Sequence, residues 1–160
     1  MSDEKRLAII ATKGTLDWAY PPFILASTAA ALGYETEIFF TFYGLQLLKK
    51  DLDLKVSPLG NPGMPMPMGM DKWFPVLGTA IPGMQGVMTG MMKQKLKSKG
   101  VASIEELREL CQEAEVKFVA CQMTVDLFDM NHGDFIDDIE LGGAATFFEF
   151  AGESDITLYV

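Results

Sequence analysis

Leu7-Ala8-Ile9-Ile10-Ala11 is an unbroken apolar run with no polar residue to turn toward water. A strand of that kind is buried on both faces, and such strands belong to parallel sheets with helices above and below. A second short apolar run, Val116 to Ala120, delivers Cys121 to its end, and Gln122-Met123-Thr124 follows, with Thr124 read as the cap of a new helix. Strand and helix patterns alternate through most of the chain, which implies an α/β fold with a doubly wound parallel sheet.

The elements between these runs follow from local signals. A helix should end near Leu32, with Gly33 as its C′ stop. Pro21 and Pro22 fit the beginning of that helix and not its middle, so residues 16–20 read as a separate first turn with Asp17 as cap. Tyr34 to Phe42 reads as the second strand, ending at Tyr43-Gly44, and Leu45 to Lys50 as a short helix. Pro58, Pro62, Pro65 and Pro67 forbid a regular helix over residues 51–72. From Trp73 to Met92 no residue is charged, over 20 residues, yet Pro75, Pro82 and four glycines interrupt the stretch. It reads as broken or kinked helices that cover the sheet or line a subunit interface. Membrane contact is the rival reading, aided by the Gly86-x-x-x-Gly90 spacing. Ser103-Ile104-Glu105-Glu106 is a capping box that opens a helix to about Ala114. Helices over 124–130 and 143–151 and a last strand over 155–160 complete the pattern. The whole is expected to be one domain, 1–160, with an irregular Met-, Pro- and Gly-rich insertion at about 56–92.

Charge narrows the function classes. The net charge is −9, and residues 122–160 hold 9 acids and no Lys or Arg. Nucleic-acid phosphates would be repelled by that part of the chain. The charged start, Met1-Ser2-Asp3-Glu4-Lys5-Arg6, has no secretory pattern, and two cysteines make no disulfide framework, so a cytoplasmic setting is expected.

In a parallel sheet, ligands gather at the carboxyl ends of the strands. A thiol there meets the N–H groups opening the next helix, which favour thiolate over thiol. Cys121 is therefore the expected reactive residue. The loops after the first two strands, Thr12-Lys13-Gly14 and Phe42-Tyr43-Gly44, should emerge at the same edge, where Lys13 could support an anionic sulfur and the glycine amides could cradle one. Cys111 is the control: it shares a helical face with Ile104, Leu107, Leu110 and Ala114 and should be an inert core thiol. The one histidine, His132, lies in an acidic loop a helix away, and no CxxC is present. The methionines at 64, 66, 68 and 70 suit adaptable packing, with Cu(I) as a distant alternative. Asn131, His132, Asp134, Asp137 and Asp138 match no metal-loop spacing and read as a solvated acidic loop. Lys93, Lys95, Lys97 and Lys99 read as a solvated helix end.

Four blocks carry a resemblance: Ile10-Ala11-Thr12-Lys13-Gly14-Thr15-Leu16-Asp17, Tyr20-Pro21-Pro22-Phe23-Ile24-Leu25-Ala26-Ser27, Phe39-Phe40-Thr41-Phe42-Tyr43-Gly44 and Ala120-Cys121-Gln122-Met123. They resemble the DsrE/DsrF-like sulfur-relay family, in its DsrE-like branch with a long Met-rich insertion. The resemblance implies a flavodoxin-like fold with a five-stranded parallel sheet, assembly into homo-oligomers, and sulfur carried as a persulfide on Cys121. It also implies TusA-like carriers and rhodanese-like donors as partners.

The expected activity is that of a sulfur carrier or sulfurtransferase. Cys121 would accept sulfane sulfur, as a persulfide or thiosulfonate, from a small sulfur anion or a donor protein and pass it to a partner thiol. Thr12, Lys13, Gly14, Tyr43, Gly44 and Gln122 are the expected substrate-binding residues. The chemistry needs a low-pKa thiol and neither a metal nor an organic cofactor. An enzyme and a stoichiometric carrier would use the same cysteine. The rival is a non-catalytic interaction module that binds a partner or membrane through residues 60–99.

Overall fold

The computed structural model describes residues 4–59 and 80–160, and the chain divides into two compact units. The larger comprises residues 1–14, 18–53 and 103–160; the smaller comprises residues 15–17 and 54–102. The Met-rich run 64–70 and the start of the uncharged stretch, 73–79, lie outside the described residues.

The larger unit is built on five strands: β1 (Arg6–Ala11), β2 (Glu35–Phe40), β3 (Lys117–Cys121), β4 (Ile139–Gly142) and β5 (Ile156–Tyr159). Their order is β4-β3-β2-β1-β5, and every neighbouring pair is parallel. This is the flavodoxin-like α/β architecture expected of the sequence. The central strands are buried along nearly their whole length, as continuous apolar runs require.

Helices cover both faces. On one, Phe23 of α1 (Leu16–Ala31) meets Phe40 and Phe118 with ring centroids 6.0 Å away, and those two rings meet edge-on at 5.4 Å. α3 (Ile104–Glu113) lies on this side as well: Cys111 Sγ donates to the Phe23 carbonyl at 3.4 Å. On the other face, Phe147 and Phe150 of α5 (Ala144–Ala151) pack with Ala8, Phe39, Val119 and Cys121. Between β3 and β4 stand α4 (Gln122–Leu127) and a 3-10 turn, His132–Asp134.

Several local expectations change. α1 is one helix, with no separate first turn. Pro21 and Pro22 sit near its start, where they remove two helical hydrogen bonds without breaking it. Tyr43 and Gly44 do not end a strand; they lie inside a 3-10 helix, Phe42–Leu48, which replaces the predicted helix 45–50. α4 begins at Gln122, so Thr124 is its third residue and Cys121 its N-cap. The buried stripe of α3 runs through Ile104, Arg108 and Cys111, while Leu110 is exposed. Arg108 reaches inward because its guanidinium donates to the Leu47 and Lys49 carbonyls, at 3.0 and 2.7 Å. The capping box is present: Ser103 N–H donates to Glu106 Oε2 at 2.7 Å and Glu106 N–H to Ser103 Oγ at 3.2 Å.

In the smaller unit, α2 (Met84–Ser98) passes unbroken through Gly86 and Gly90 and carries Lys95 and Lys97 in its last turn, where they complement the helix dipole. A Cβ on either glycine would meet nothing within 4 Å, so no described residue uses that face for close approach. Val56 is held to α2 by its N–H to Thr89 Oγ1 at 3.0 Å and by Gln85 Nε2 to its carbonyl at 2.8 Å. Among the described residues, no helix is long and apolar enough to cross a membrane.

Candidate functional site

Three strand ends meet at the carboxyl edge of the sheet. The register pairs Phe40 with Ala120, so Thr41, the next residue, stands beside Cys121. Thr41 N–H donates to the Ala11 carbonyl at 3.0 Å, tying the ends of β2 and β1 together. Gly44 and Gly14 permit this closeness. A Cβ on Gly44 would overlap the Ala11 carbonyl, and one on Gly14 would overlap the Tyr43 carbonyl. Thr12 donates from both N–H and Oγ1 to the Val160 carbonyl, at 3.0 and 3.2 Å. On the fourth strand Gly142 lies opposite Cys121, and a Cβ there would press on Thr146.

Cys121 is only 4% exposed. Burial raises its pKa, since a thiolate loses hydration there. Hydrogen bonds from Thr124 (hydroxyl and N–H), the Thr41 hydroxyl and Met123 N–H outweigh that, so the thiol lies below its ordinary value. The N-cap side chain makes no short cap bond, yet the second and third N–H groups of α4 still favour its anion. α4 has six residues, so the effect belongs to those particular amides rather than to a long dipole.

The two threonine hydroxyls are 3.2 Å apart. Each has one proton to give. While the sulfur is a neutral thiol, one hydroxyl can donate to the other; once it is an anion, both can turn to it. Thr124 Oγ1 also accepts from Phe42 N–H at 3.3 Å, which fixes its orientation. Hydrogen bonds to charged groups are worth about 1.5–3 kcal/mol each. Several of them can therefore offset the desolvation of one buried sulfur.

The other expected site residues are placed as follows. Lys13 is exposed, with its ammonium 3.1 Å from the centroid of Trp18. Gln122 Nε2 donates to Asp126 Oδ1 at 2.7 Å. Tyr43 is exposed and stacks on Phe128, 5.9 Å between centroids and 21° between planes. Cys111 is fully buried, and burial pushes its thiol up to about 12. Asn131, His132 and the acids Asp134, Asp137 and Asp138 are all exposed, and among the described residues no three His, Cys, Asp or Glu side chains are grouped to hold a metal.

Thr41 is a residue of the candidate site that the sequence alone does not single out, and Thr124 contributes more than the cap its position suggests. A signal existed: in a parallel sheet the first residue past each strand shares the edge, so a hydroxyl there neighbours a strand-end thiol.

The comparisons with known proteins agree with this architecture. The chain is 81% identical over 158 residues to "Sulfur carrier protein DsrE2" of Allochromatium vinosum, covering 99% of each chain. It is 34% identical over 159 residues to "Uncharacterized protein YrkE" of Bacillus subtilis, covering 98% of this chain and 97% of that one. The crystal structure of the ychN protein from E. coli superposes with a TM-score of 0.55 at 11% identity, over 98% of this chain and 99% of that one, a likeness of fold. The profile of the DsrE/DsrF/DrsH-like family matches residues 3–159, and the chain is a member of that family.

Proposed function

We propose that this protein is a sulfur carrier that takes sulfane sulfur onto Cys121 as a persulfide and hands it to a partner thiol. The observation that carries the reading is the nearly buried Cys121 at the end of β3, standing beside Thr41 of the neighbouring strand end and at the N-terminus of α4. The name of the 81%-identical Allochromatium vinosum protein supports it.

Both half-reactions are redox-neutral. With thiosulfate, the Cys121 thiolate attacks the sulfane sulfur, a new S–S bond forms, the S–S bond of thiosulfate breaks and sulfite leaves. In unloading, an acceptor thiolate attacks the outer sulfur of the Cys121 persulfide. A new S–S bond forms on the acceptor, the persulfide bond breaks and the Cys121 thiolate returns. The hydroxyls of Thr41 and Thr124 and the amides of Met123 and Thr124 stabilise the Cys121 thiolate, which is the attacking group in loading and the leaving group in unloading.

In this reading Thr12, Lys13, Gly14, Tyr43, Gly44 and Gln122 form the rim at which a small sulfur anion arrives, with Lys13 supplying the cation. TusA-like carriers and rhodanese-like donors are the partners of matching chemistry, and the protein works as a homo-oligomer in the cytoplasm.

The test is intact-mass spectrometry of the native protein after exposure to thiosulfate or polysulfide, with Cys121→Ser and Cys111→Ser in parallel. A reducible sulfur adduct absent only from Cys121→Ser is expected. An adduct retained in Cys121→Ser, or none on folded wild-type protein with either donor, would overturn the assignment.

A further inference from the structure

The sulfur of Cys121 is almost closed off, yet the surface around it is strongly apolar and open. Phe42 follows Thr41 in the chain, Met123 precedes Thr124, and Phe128 closes α4; all three are exposed. Phe42 and Phe128 join Tyr43 in an aromatic platform built from two separate elements. Phe42 meets Tyr43 at 6.5 Å and Phe128 at 6.3 Å, and Tyr43 stacks on Phe128. Tyr43 is 64% and Met123 62% exposed, and Leu127, one turn after Met123, is exposed as well. Two non-glycine residues here have left-handed backbone, Phe42 within the platform with φ 49° and Asp129, next after Phe128, with φ 48°. Each such residue costs about 1–3 kcal/mol, which local packing has to hold in place. Large apolar side chains grouped in the open, beside a strained backbone, mark a contact surface rather than a core.

The charge on the α4 side of the platform has one sign. Asp126 and Asp129 lie within and just after α4, and no Lys or Arg occurs anywhere in residues 122–160. Lys13, the cation of the neighbouring loop, is stacked on Trp18. Resting on the sulfur-carrier reading, we propose that this platform docks a protein partner that presents its own cysteine on a basic surface with apolar side chains around it. Apolar contact supplies the area that a buried sulfur lacks. Charge complementarity with Asp126 and Asp129 selects the partner and speeds encounter.

Thiol–disulfide exchange tests the platform without sulfane sulfur. Three cysteine peptides are activated as mixed disulfides with thionitrobenzoate: cationic Lys-Leu-Cys-Phe-Lys, neutral Ser-Leu-Cys-Phe-Ser and anionic Glu-Leu-Cys-Phe-Glu. The Cys121 thiolate attacks the peptide sulfur, the protein–peptide disulfide forms, and released thionitrobenzoate is read by absorbance. The cationic peptide should react roughly tenfold faster than the anionic one at low salt, with the advantage shrinking as salt is added. Replacing Asp126→Asn with Asp129→Asn should bring the three rates together. Leu127→Ala with Phe128→Ala should slow all three peptides several-fold while leaving alkylation by iodoacetamide unchanged.

Charge-blind exchange in the wild-type protein overturns the proposal. So does a Leu127→Ala, Phe128→Ala protein in which iodoacetamide slows as much as the peptides. If that variant instead loses assembly mass in the ultracentrifuge and the peptides show no charge preference, the platform's occupant is a second copy of the chain and the proposal fails. Exchange needs only a reactive Cys121. A protein that takes no sulfur from either thiosulfate or polysulfide but discriminates among the peptides refutes the carrier reading and keeps the platform. One that loads sulfur but exchanges without discrimination does the reverse.

Discussion

Glu37 offers a test of the fold that is independent of the sulfur site. It lies on β2, opposite Lys117 of β3, is 4% exposed, and its Oε1 has no hydrogen-bond partner. Cys121 is four residues further along β3 than Lys117, about 13 Å at the rise of a strand. Burial chiefly pushes the Glu37 carboxyl up to about 7; Lys117 opposes this, while Glu140 and Glu35 add to it. The reference value is 4.5, so the folded state holds the proton more tightly than the unfolded one. The stabilisation that comes from protonated Glu37 is therefore complete below pH 4.5 and is lost as pH rises through about 7. A difference of about 2.5 between the two values, at 1.36 kcal/mol per pH unit, makes the loss about 3 kcal/mol, nearly complete by about pH 8. Glu37→Gln keeps the shape and cannot ionise. Urea unfolding of both proteins between pH 4.5 and 8 gives the stability difference, with m-values checked for agreement. Groups that titrate alike in both proteins cancel in that difference, and a constant offset from placing an amide at this position does not alter its slope. The variant should gain on wild type by about 3 kcal/mol across the range. A difference that stays flat with pH would refute the buried-carboxyl argument.

The remaining expectations concern the thiols. Thr41→Val and Thr124→Val should each move the alkylation–pH profile of Cys121 upward, and an unmoved profile on folded protein would remove that hydroxyl from the sulfur's environment. Thr124→Val should also lower stability by about 1–3 kcal/mol by leaving the Phe42 N–H without its acceptor, read by urea unfolding. Lys13→Ala should raise the same profile, and an unaltered one would remove Lys13 from the site. Cys111, held up to about 12 by burial, should resist alkylation in the native protein at pH 8 while Cys121 reacts. Equal rates would contradict the core assignment.

The parts of the fold that were legible in the sequence are those that satisfy one strong local rule. Leu7–Ala11 could only be a strand covered on both faces, and Ser103 with Glu106 could only open a helix. β4 escaped because Ile139-Glu140-Leu141-Gly142 is four residues with one acid and an exposed Leu141, too short for a period to show. Arg108 escaped because periodicity marks its face as interior while its charge marks it as solvated; two backbone carbonyls reconcile the two. The place of Cys121 at a strand end is legible because it is a property of one segment. Thr41 is not, because its role depends on register between β2 and β3, and no single segment records register.

That difference explains the kind of activation this site can have. A cation near a sulfur acts over a distance and would be visible as a charged residue in a nearby loop. Neutral donors act only at contact, so they have to be delivered by the fold: Thr41 by parallel register, Thr124 and Met123 by the first turn of α4. Preorganised neutral donors also suit a carrier better than an ion pair would. They act on Sγ, which carries the charge in the thiolate, whereas in a persulfide the charge sits on the outer sulfur, one S–S bond of about 2 Å farther out. On the proposed carrier reading, donors fixed at Sγ favour the thiolate over the persulfide, so they lower the cost of ionising Cys121 without deepening a loaded state, and sulfur held that way can still be passed on.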